Sequence, residues 1–279
     1  MILPQFYVDD IIRNALKEDI NYIDVSTVYV IPETQQSTAR FISKAEGTLC
    51  GLEIAMRVFE LLDATFTCEC YFHDGDSVQK GDLLAEFKGK TACLLQGERT
   101  ALNVLQHLSG IATATAACVK AVEGTNASIA ETRKTLPGLR AMQKYAVTCG
   151  GGRNHRYNLS DAAMLKDNHI DAGGGIANTV ALLRSKLGHT VRIEVETRNL
   201  DEVQQALDAG ADIIMLDNMR CDEMKAAVTL IAGRAVTEAS GNVTLETIRK
   251  VAETGVDIIS IGALTHSVKT FDISMRIDK

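Results

Sequence analysis

The sequence predicts an α/β protein built from two unlike parts, a mixed α+β domain followed by a parallel-stranded α/β domain. Three observations predict it. Residues 38–95 hold strand-like and helical stretches without a clean repeat. Beyond residue 125, six short apolar runs end in polar residues and alternate with helical stretches, the rhythm of βα units in a parallel sheet. Ala209-Gly-Ala-Asp-Ile-Ile-Met-Leu-Asp is echoed by Thr254-Gly-Val-Asp-Ile-Ile-Ser-Ile-Gly, each a helix ending at Gly and feeding a buried strand. A closed or nearly closed barrel fits this rhythm best, and a doubly wound sheet satisfies the same periodicity. The expected division is 1–108 and 109–269, with residues 270–279 free to pack back on the first domain.

Element by element, residues 4–18 read as an amphipathic helix with Phe6, Ile11, Ile12, Ala15 and Leu16 on its apolar stripe. Residues 39–45 and 65–72 read as strands, 53–62 as a helix, and 73–84 as a turn leading into a further strand. Residues 94–123 read as two helices broken near Gly110. The barrel strands are expected at 127–131, 163–166, 191–196, 213–216, 235–238 and 258–261. The helices between them are expected at 140–149, 175–187, 200–209, 220–232 and 244–254.

Composition narrows the function. The 279 residues carry 29 Lys and Arg against 36 Asp and Glu, a net charge of −7. That balance argues against a protein coated for nucleic acid or an anionic membrane. Aromatics are 5% and Trp is absent, which argues against base-stacking platforms. Seven scattered Cys do not form a disulfide scaffold and favour a reducing, cytoplasmic setting. The acidic N-terminus does not read as a signal peptide, and no apolar run is long enough to span a bilayer.

In a parallel α/β sheet the chemistry lies at the C-terminal ends of the strands. Those ends hold Glu131 to Lys134, Lys166 to His169, Glu194 and Glu196, Asp217 and Asn218, Glu238 to Gly241, and Gly262 with His266 a turn later. Residues 131–169 contain seven Lys and Arg against three acids, a balance of +4 that leaves −11 for the rest. Arg forks and Lys point charges converging there predict a polyanion site. Cys149-Gly-Gly-Gly-Arg-Asn-His-Arg156 is a Gly-rich turn that lets backbone N–H groups approach an anion, and it lacks P-loop and dinucleotide-binding spacing. Glu196 and Asp217, 21 residues apart, read as ribose or Mg²⁺ ligands, a catalytic acid/base pair, or simple ion-pair partners. Ser240, Gly241 and Gly262 fall where barrels hold a phosphate on backbone N–H groups. Cys68, Cys70 and His73 offer too few ligands for zinc, Cys149 reads as a local thiol, and His107 as structural.

These motifs resemble the quinolinate phosphoribosyltransferase family over nearly the whole chain. The resemblance rests on Glu131-Thr-Arg-Lys-Thr-Leu-Pro-Gly-Leu-Arg, Lys144-Tyr-Ala-Val, the Cys149 to Arg156 turn and Ala163-Met-Leu-Lys-Asp-Asn-His-Ile. It extends to Gln96-Gly-Glu-Arg-Thr-Ala-Leu-Asn, Glu194-Val-Glu-Thr, Met215-Leu-Asp-Asn, Glu238-Ala-Ser-Gly and Ser260-Ile-Gly-Ala-Leu-Thr-His-Ser. It implies a sandwich-like α+β domain and an incomplete, open TIM-like α/β barrel. The implied reaction joins quinolinate to phosphoribosyl pyrophosphate, giving nicotinate mononucleotide, CO₂ and pyrophosphate with Mg²⁺, in NAD biosynthesis. It implies a homodimer, sometimes assembled further, in which Arg99 is donated to the partner's site. Arg133, His155, Arg156 and Lys166 are implied to grip quinolinate. Lys134, Glu196 and Asp217 are implied to engage phosphoribosyl pyrophosphate and Mg²⁺, and Ser240, Gly241, Gly262 and His266 its 5′-phosphate. Lys134, Lys166, Glu196 and Asp217 carry the chemistry in this reading. Glu196 is preferred to Glu194 on its spacing to Asp217. Asn242 stands where the family usually has a second Gly. A molybdenum-transport-associated paralogue of the same fold and a non-catalytic metabolite-binding barrel are the competing expectations.

Overall fold

The computed structural model describes residues 3–278. In chain order its elements are α1 (Gln5–Ile20), α2 (Val25–Val30), β1 (Gln36–Ser43), β2 (Gly47–Thr48), α3 (Leu52–Leu62), β3 (Thr67–Cys70), β4 (Ser77–Val78), β5 (Leu83–Lys90) and α4 (Thr91–Ala121). There follow β6 (Ser128–Ala130), α5 (Arg140–Cys149), β7 (Ala163–Leu165), α6 (Asp167–Ala172), α7 (Ile176–Arg184), β8 (Ile193–Thr197), α8 (Leu200–Asp208) and β9 (Ile213–Asp217). The chain ends with α9 (Cys221–Ile231), β10 (Val236–Ser240), α10 (Ile248–Ala252), β11 (Ile258–Ser260), α11 (Ala263–His266) and β12 (Ile273–Ile277). Two compact units result. The first takes the chain up to Ala116, Thr135–Gly151 and everything from Thr265. The second takes Ala117–Lys134 and Gly152–Leu264.

The first unit is built on an antiparallel sheet of order β12-β1-β5-β3. Along β1, Ala39, Phe41 and Ser43 are buried at every second position, the period of a strand with one covered face. Phe41 and Phe87 meet edge to face at 4.9 Å and Phe59 stacks on Phe87 at 5.0 Å, giving this core an aromatic centre. On α1, Val8, Ile12 and Leu16 recur every four residues and are buried. Asp24 caps α2 by accepting from the Ser26 and Thr27 N–H groups. β12 pairs antiparallel with β1, from Ser43 opposite Ile273 to Ala39 opposite Ile277.

The second unit is a six-stranded parallel sheet of order β6-β11-β10-β9-β8-β7. From β7 to β11 the order advances without reversing, and β6 then joins at the β11 edge. A doubly wound sheet reverses its order at a switch point, so this is barrel winding. β6 and β7 are the two edges and do not pair with each other, which leaves the barrel open along that one seam. Arg153 makes a single bridge to Ala130 beside β6.

The structure corrects two expectations. α4 runs unbroken through Gly110. Gly110 is there for close approach, because a Cβ would overlap the carbonyl of Lys269. α5 is not a barrel helix: Met142, Ala146 and Val147 belong to the core of the first unit. The compact units are divided differently from the chain order, with residues 109–116, 135–151 and 265–269 lying in the first. α2, the single-turn α6 and the edge strand β12 carry no strong sequence period and were not expected.

A Gly110→Ala substitution should destabilise the protein by about 1–3 kcal/mol through overpacking. A fall in the thermal midpoint checks this. Gly188→Ala, at a glycine with open space around it and no left-handed backbone, should leave the midpoint unchanged.

Candidate active site

The side-chain alternation of the parallel strands builds the site. Ile193 and Val195 on β8, Ile214 and Leu216 on β9, Ala239 on β10 and Ile259 on β11 all enter the second unit's apolar core. Successive side chains point to opposite faces. Glu194 and Glu196, Met215 and Asp217, Glu238 and Ser240, and Ser260 therefore line the other face, inside the barrel. Register stacks them. Glu196 lies level with Met215 and Glu238, and Asp217 lies level with Ser240, Ser260 and Ala130. Barrel interiors are usually filled with branched apolar residues. This one presents carboxylates and hydroxyls.

His155 sits among these acids. Its Nε2 is 3.4 Å from Glu194 and 3.3 Å from Glu238, and both carboxylates are almost fully buried. Its backbone N–H donates to Glu131, a third buried carboxylate, at 3.1 Å. Burial disfavours the charged imidazole, but its hydrogen bonds to the Glu194 and Glu238 carboxylates and their charges outweigh it and push its pKa up to about 10. Burial also pushes the Glu194 carboxyl up, against the lowering effect of His155. The Arg156 N–H donates to His155 Nδ1 at 2.7 Å, which places a proton on Nε2, facing the acids. A second proton at Nδ1 must displace that amide, so ring titration is tied to the 155–156 backbone.

Arg133 and Arg156 stand beside each other, and each keeps a buried Nε without a hydrogen-bond partner. Burial and the neighbouring Arg133 charge hold Arg156 below its ordinary value. Arg156 Nη1 donates to the Ala162 carbonyl at 2.9 Å, which fixes the fork. Buried donors left unpaired are costly, so two of them together mark a slot for an anion. Lys166 directly follows β7, and its Nζ donates to Glu196 Oε2 at 2.5 Å. Its backbone N–H donates to His169 Nδ1 at 3.1 Å, so His169 closes the start of α6.

Asn242 adopts the left-handed conformation, φ 51°, that the expected glycine would take, and Asn is the side chain that best tolerates it. Its amide donates to Asn218 Oδ1 at 3.0 Å. Gly241, at φ 95°, has no room for a Cβ against Asn218. The Ser240-Gly241-Asn242 turn is thus held by Asn218, itself left-handed at φ 53°.

The second unit contains Arg133, Lys134, His155, Arg156, Lys166, Glu196, Asp217, Ser240, Gly241 and Gly262. Arg99, exposed on α4, and His266, exposed at the end of α11, belong to the first unit. Arg140 and Lys144 also fall there, on α5, with Lys144 buried, so the seven cations of 131–169 are divided between the two units. Glu131, Glu194 and Glu238 stand among the expected strand-end residues, but no role was assigned to them from the sequence. Their signal was a carboxylate inside an otherwise apolar strand. Cys68, Cys70 and His73 do not gather as a metal-ligand group among the described residues.

The model of the quinolinate phosphoribosyl transferase N-terminal domain matches residues 24–109, and that of its C-terminal domain matches residues 111–276. The chain belongs to this family. It is 43% identical over 267 residues to the probable nicotinate-nucleotide pyrophosphorylase [carboxylating] of Bacillus subtilis, covering 96% of this chain and 92% of the relative. The NadC crystal structure from Streptococcus pyogenes superposes with a TM-score of 0.96 at 45% identity, covering 99% of this chain and 98% of that one. The nicotinate-nucleotide pyrophosphorylase of Francisella tularensis superposes at 0.95 with 40% identity, over 99% and 98% of the two chains. The family's two-part fold, an α+β domain and an open TIM-like α/β barrel, is the one described above.

His155 resonances should titrate well above 6.5, toward 10, and the Arg156 amide should move with them in NMR spectra. Because the folded pKa is raised, the stabilisation from this contact is fully present below pH 6.5 and is lost as pH rises through about 10. Glu238→Gln removes one of the two charges and should bring the midpoint down.

Proposed function

We infer that the chain transfers the phosphoribosyl group of phosphoribosyl pyrophosphate to the ring nitrogen of quinolinate, with loss of pyrophosphate and CO₂ to give nicotinate mononucleotide. The observation that carries this is the pair Arg133 and Arg156, with unpaired buried donors, beside His155. A pyridine dicarboxylate needs two cationic partners, and Arg forks match carboxylates in geometry. Lys166, at the end of β7, adds a further cation for the same dianion.

Lys134, Glu196 and Asp217 are assigned to phosphoribosyl pyrophosphate. Carboxylates at neighbouring strand ends suit ribose hydroxyls, which donate to them. Ser240, Gly241 and Gly262 are assigned to the 5′-phosphate, with His266 added on its four-residue spacing from Gly262. Mg²⁺ fits the donor set: two oxygen acids suit a hard cation that keeps several waters and binds through substrate phosphates. When bound with the pyrophosphate, Mg²⁺ would neutralise charge on the leaving group, with Glu196 and Asp217 as the residues to hold its water shell.

Cleavage of the anomeric carbon–oxygen bond develops positive charge on the sugar and negative charge on the leaving group. Lys134 stabilises the leaving group, and Glu196 and Asp217 face the cationic sugar, all placed before reaction by rigid strand ends. The quinolinate nitrogen attacks the anomeric carbon. The resulting pyridinium withdraws electrons and takes up the pair released when the adjacent carboxylate leaves as CO₂. No protein nucleophile enters.

The assembly reading is a homodimer with Arg99 donated to the partner's site. Arg99 is exposed on α4, and the Gln96 side chain one turn before it bonds Asp24 at the start of α2. Val25, Val28, Tyr29 and Val30 of α2 are all exposed, an apolar face that a second copy would cover. A cytoplasmic setting accords with seven free Cys and with no described helix long and apolar enough to cross a membrane.

Purified protein mixed with quinolinate, phosphoribosyl pyrophosphate and Mg²⁺ should form nicotinate mononucleotide. No product, with nicotinate run in parallel, overturns the reading. Arg133→Ala should weaken quinolinate binding by roughly 30-fold, ~2 kcal/mol for a lost charged hydrogen bond. Calorimetric titration checks it, and an unchanged affinity removes Arg133 from the carboxylate site.

A further inference from the structure

The first unit holds a side-chain cluster that the phosphoribosyl transfer does not use. Cys50, Asp74 and Cys149 place their two sulfurs and a carboxylate oxygen within 4.8 Å of one another. Cys50 is fully buried just before α3, and Cys149 is half-buried as the last residue of α5. Asp74 is already engaged: Oδ1 accepts from the Gly51 and Leu52 N–H groups at 2.8 and 3.0 Å, capping α3, and Oδ2 accepts from the Tyr145 hydroxyl at 2.8 Å. With the carboxylate spent on these bonds, the thiols' nearest chemistry is with each other rather than with a metal ion.

The environment makes the thiols unequal. The hydrogen bond from Cys50 lowers the Cys149 pKa, burial and the Asp74 charge oppose this, and the Tyr145 hydroxyl adds to the lowering. Burial pushes the Cys50 thiol well up. A thiolate is the reactive form, and an accessible low-pKa thiol beside a second thiol is the arrangement of redox-sensitive pairs.

We propose that Cys149 and Cys50 form a reversible disulfide when the protein meets a peroxide. The Cys149 thiolate attacks one peroxide oxygen, the O–O bond breaks, and hydroxide leaves and takes up a proton as water. Sulfur is oxidised to the sulfenic acid. Cys50 then gives up its proton, its sulfur attacks Cys149 Sγ, and the sulfenic oxygen departs as a second water. Two thiols and one hydrogen peroxide thus give one disulfide and two waters, and a dithiol reductant reverses the change. The two sulfurs start within 4.8 Å of each other and approach to the ~2 Å of an S–S bond as it forms. Cys149 is followed directly by the triple glycine that leads along the chain to Arg153.

The test uses the full reduced chain exposed to hydrogen peroxide, digested with trypsin after free thiols are blocked. Peptides 45–57 and 145–153, each with one of the two Cys, should appear joined and separate again with dithiothreitol. Two titratable thiols per chain should be lost. In Cys50→Ser, the Cys149 sulfenic acid should persist and be trapped by dimedone. Peptides that stay unjoined in the wild type, or an untrapped Cys149 in Cys50→Ser, overturn the proposal.

Discussion

Glu194 and Glu238 are carboxylates on strands separated by β9, and both are almost fully closed off from water. Burying a carboxylate costs several kcal/mol unless a partner replaces the lost hydration. His155 supplies that partner for both, and Glu131 holds the His155 backbone in turn. This contact lets a barrel interior be polar. With these acids satisfied, Asp217 and Ser240 lie one layer beyond Glu196 and Glu238 on the same face. The cations around it, Arg133 and Arg156, retain buried donors for an anion.

The Gly150-Gly151-Gly152 turn serves this arrangement. Gly150 lies where a Cβ would collide with the backbone of Ala112 on α4, and Gly151 has a left-handed φ of 83°. The chain therefore leaves α5 tightly and reaches the bridge at Arg153 within three residues. From its composition, the Gly-rich turn read as a place where backbone N–H groups approach an anion. Its glycines answer first to backbone packing.

Much of the fold was legible because periodicity is a local signal. Val8, Ile12 and Leu16 mark α1, and the apolar strands of the barrel announce six βα units. Lys134, Lys166, Glu196 and Asp217 were legible because each ends or follows an apolar run. Glu131, Glu194 and Glu238 were legible as strand-end acids, but their shared contact with His155 was not. A strand places alternate residues on opposite faces, but the sequence does not say which face is buried among charges. Gly110 misled for a related reason: helix propensity penalises glycine, and only the approach of Lys269, 159 residues on, explains it.

Taken by itself, the sequence determined the element types, the parallel βα rhythm, the excess of cations at 131–169 and, through its motifs, the family. These depend on residues close in the chain, where spacing alone fixes which side chains share a face. The tertiary structure decided that α5 leaves the barrel, that the sheet opens between β6 and β7, that His155 binds two buried acids, and that Cys50 meets Cys149. Each of these joins residues tens of positions apart. Such contacts are chosen by competition among packing, charge burial and hydrogen bonding across the whole chain, and no local pattern records the outcome.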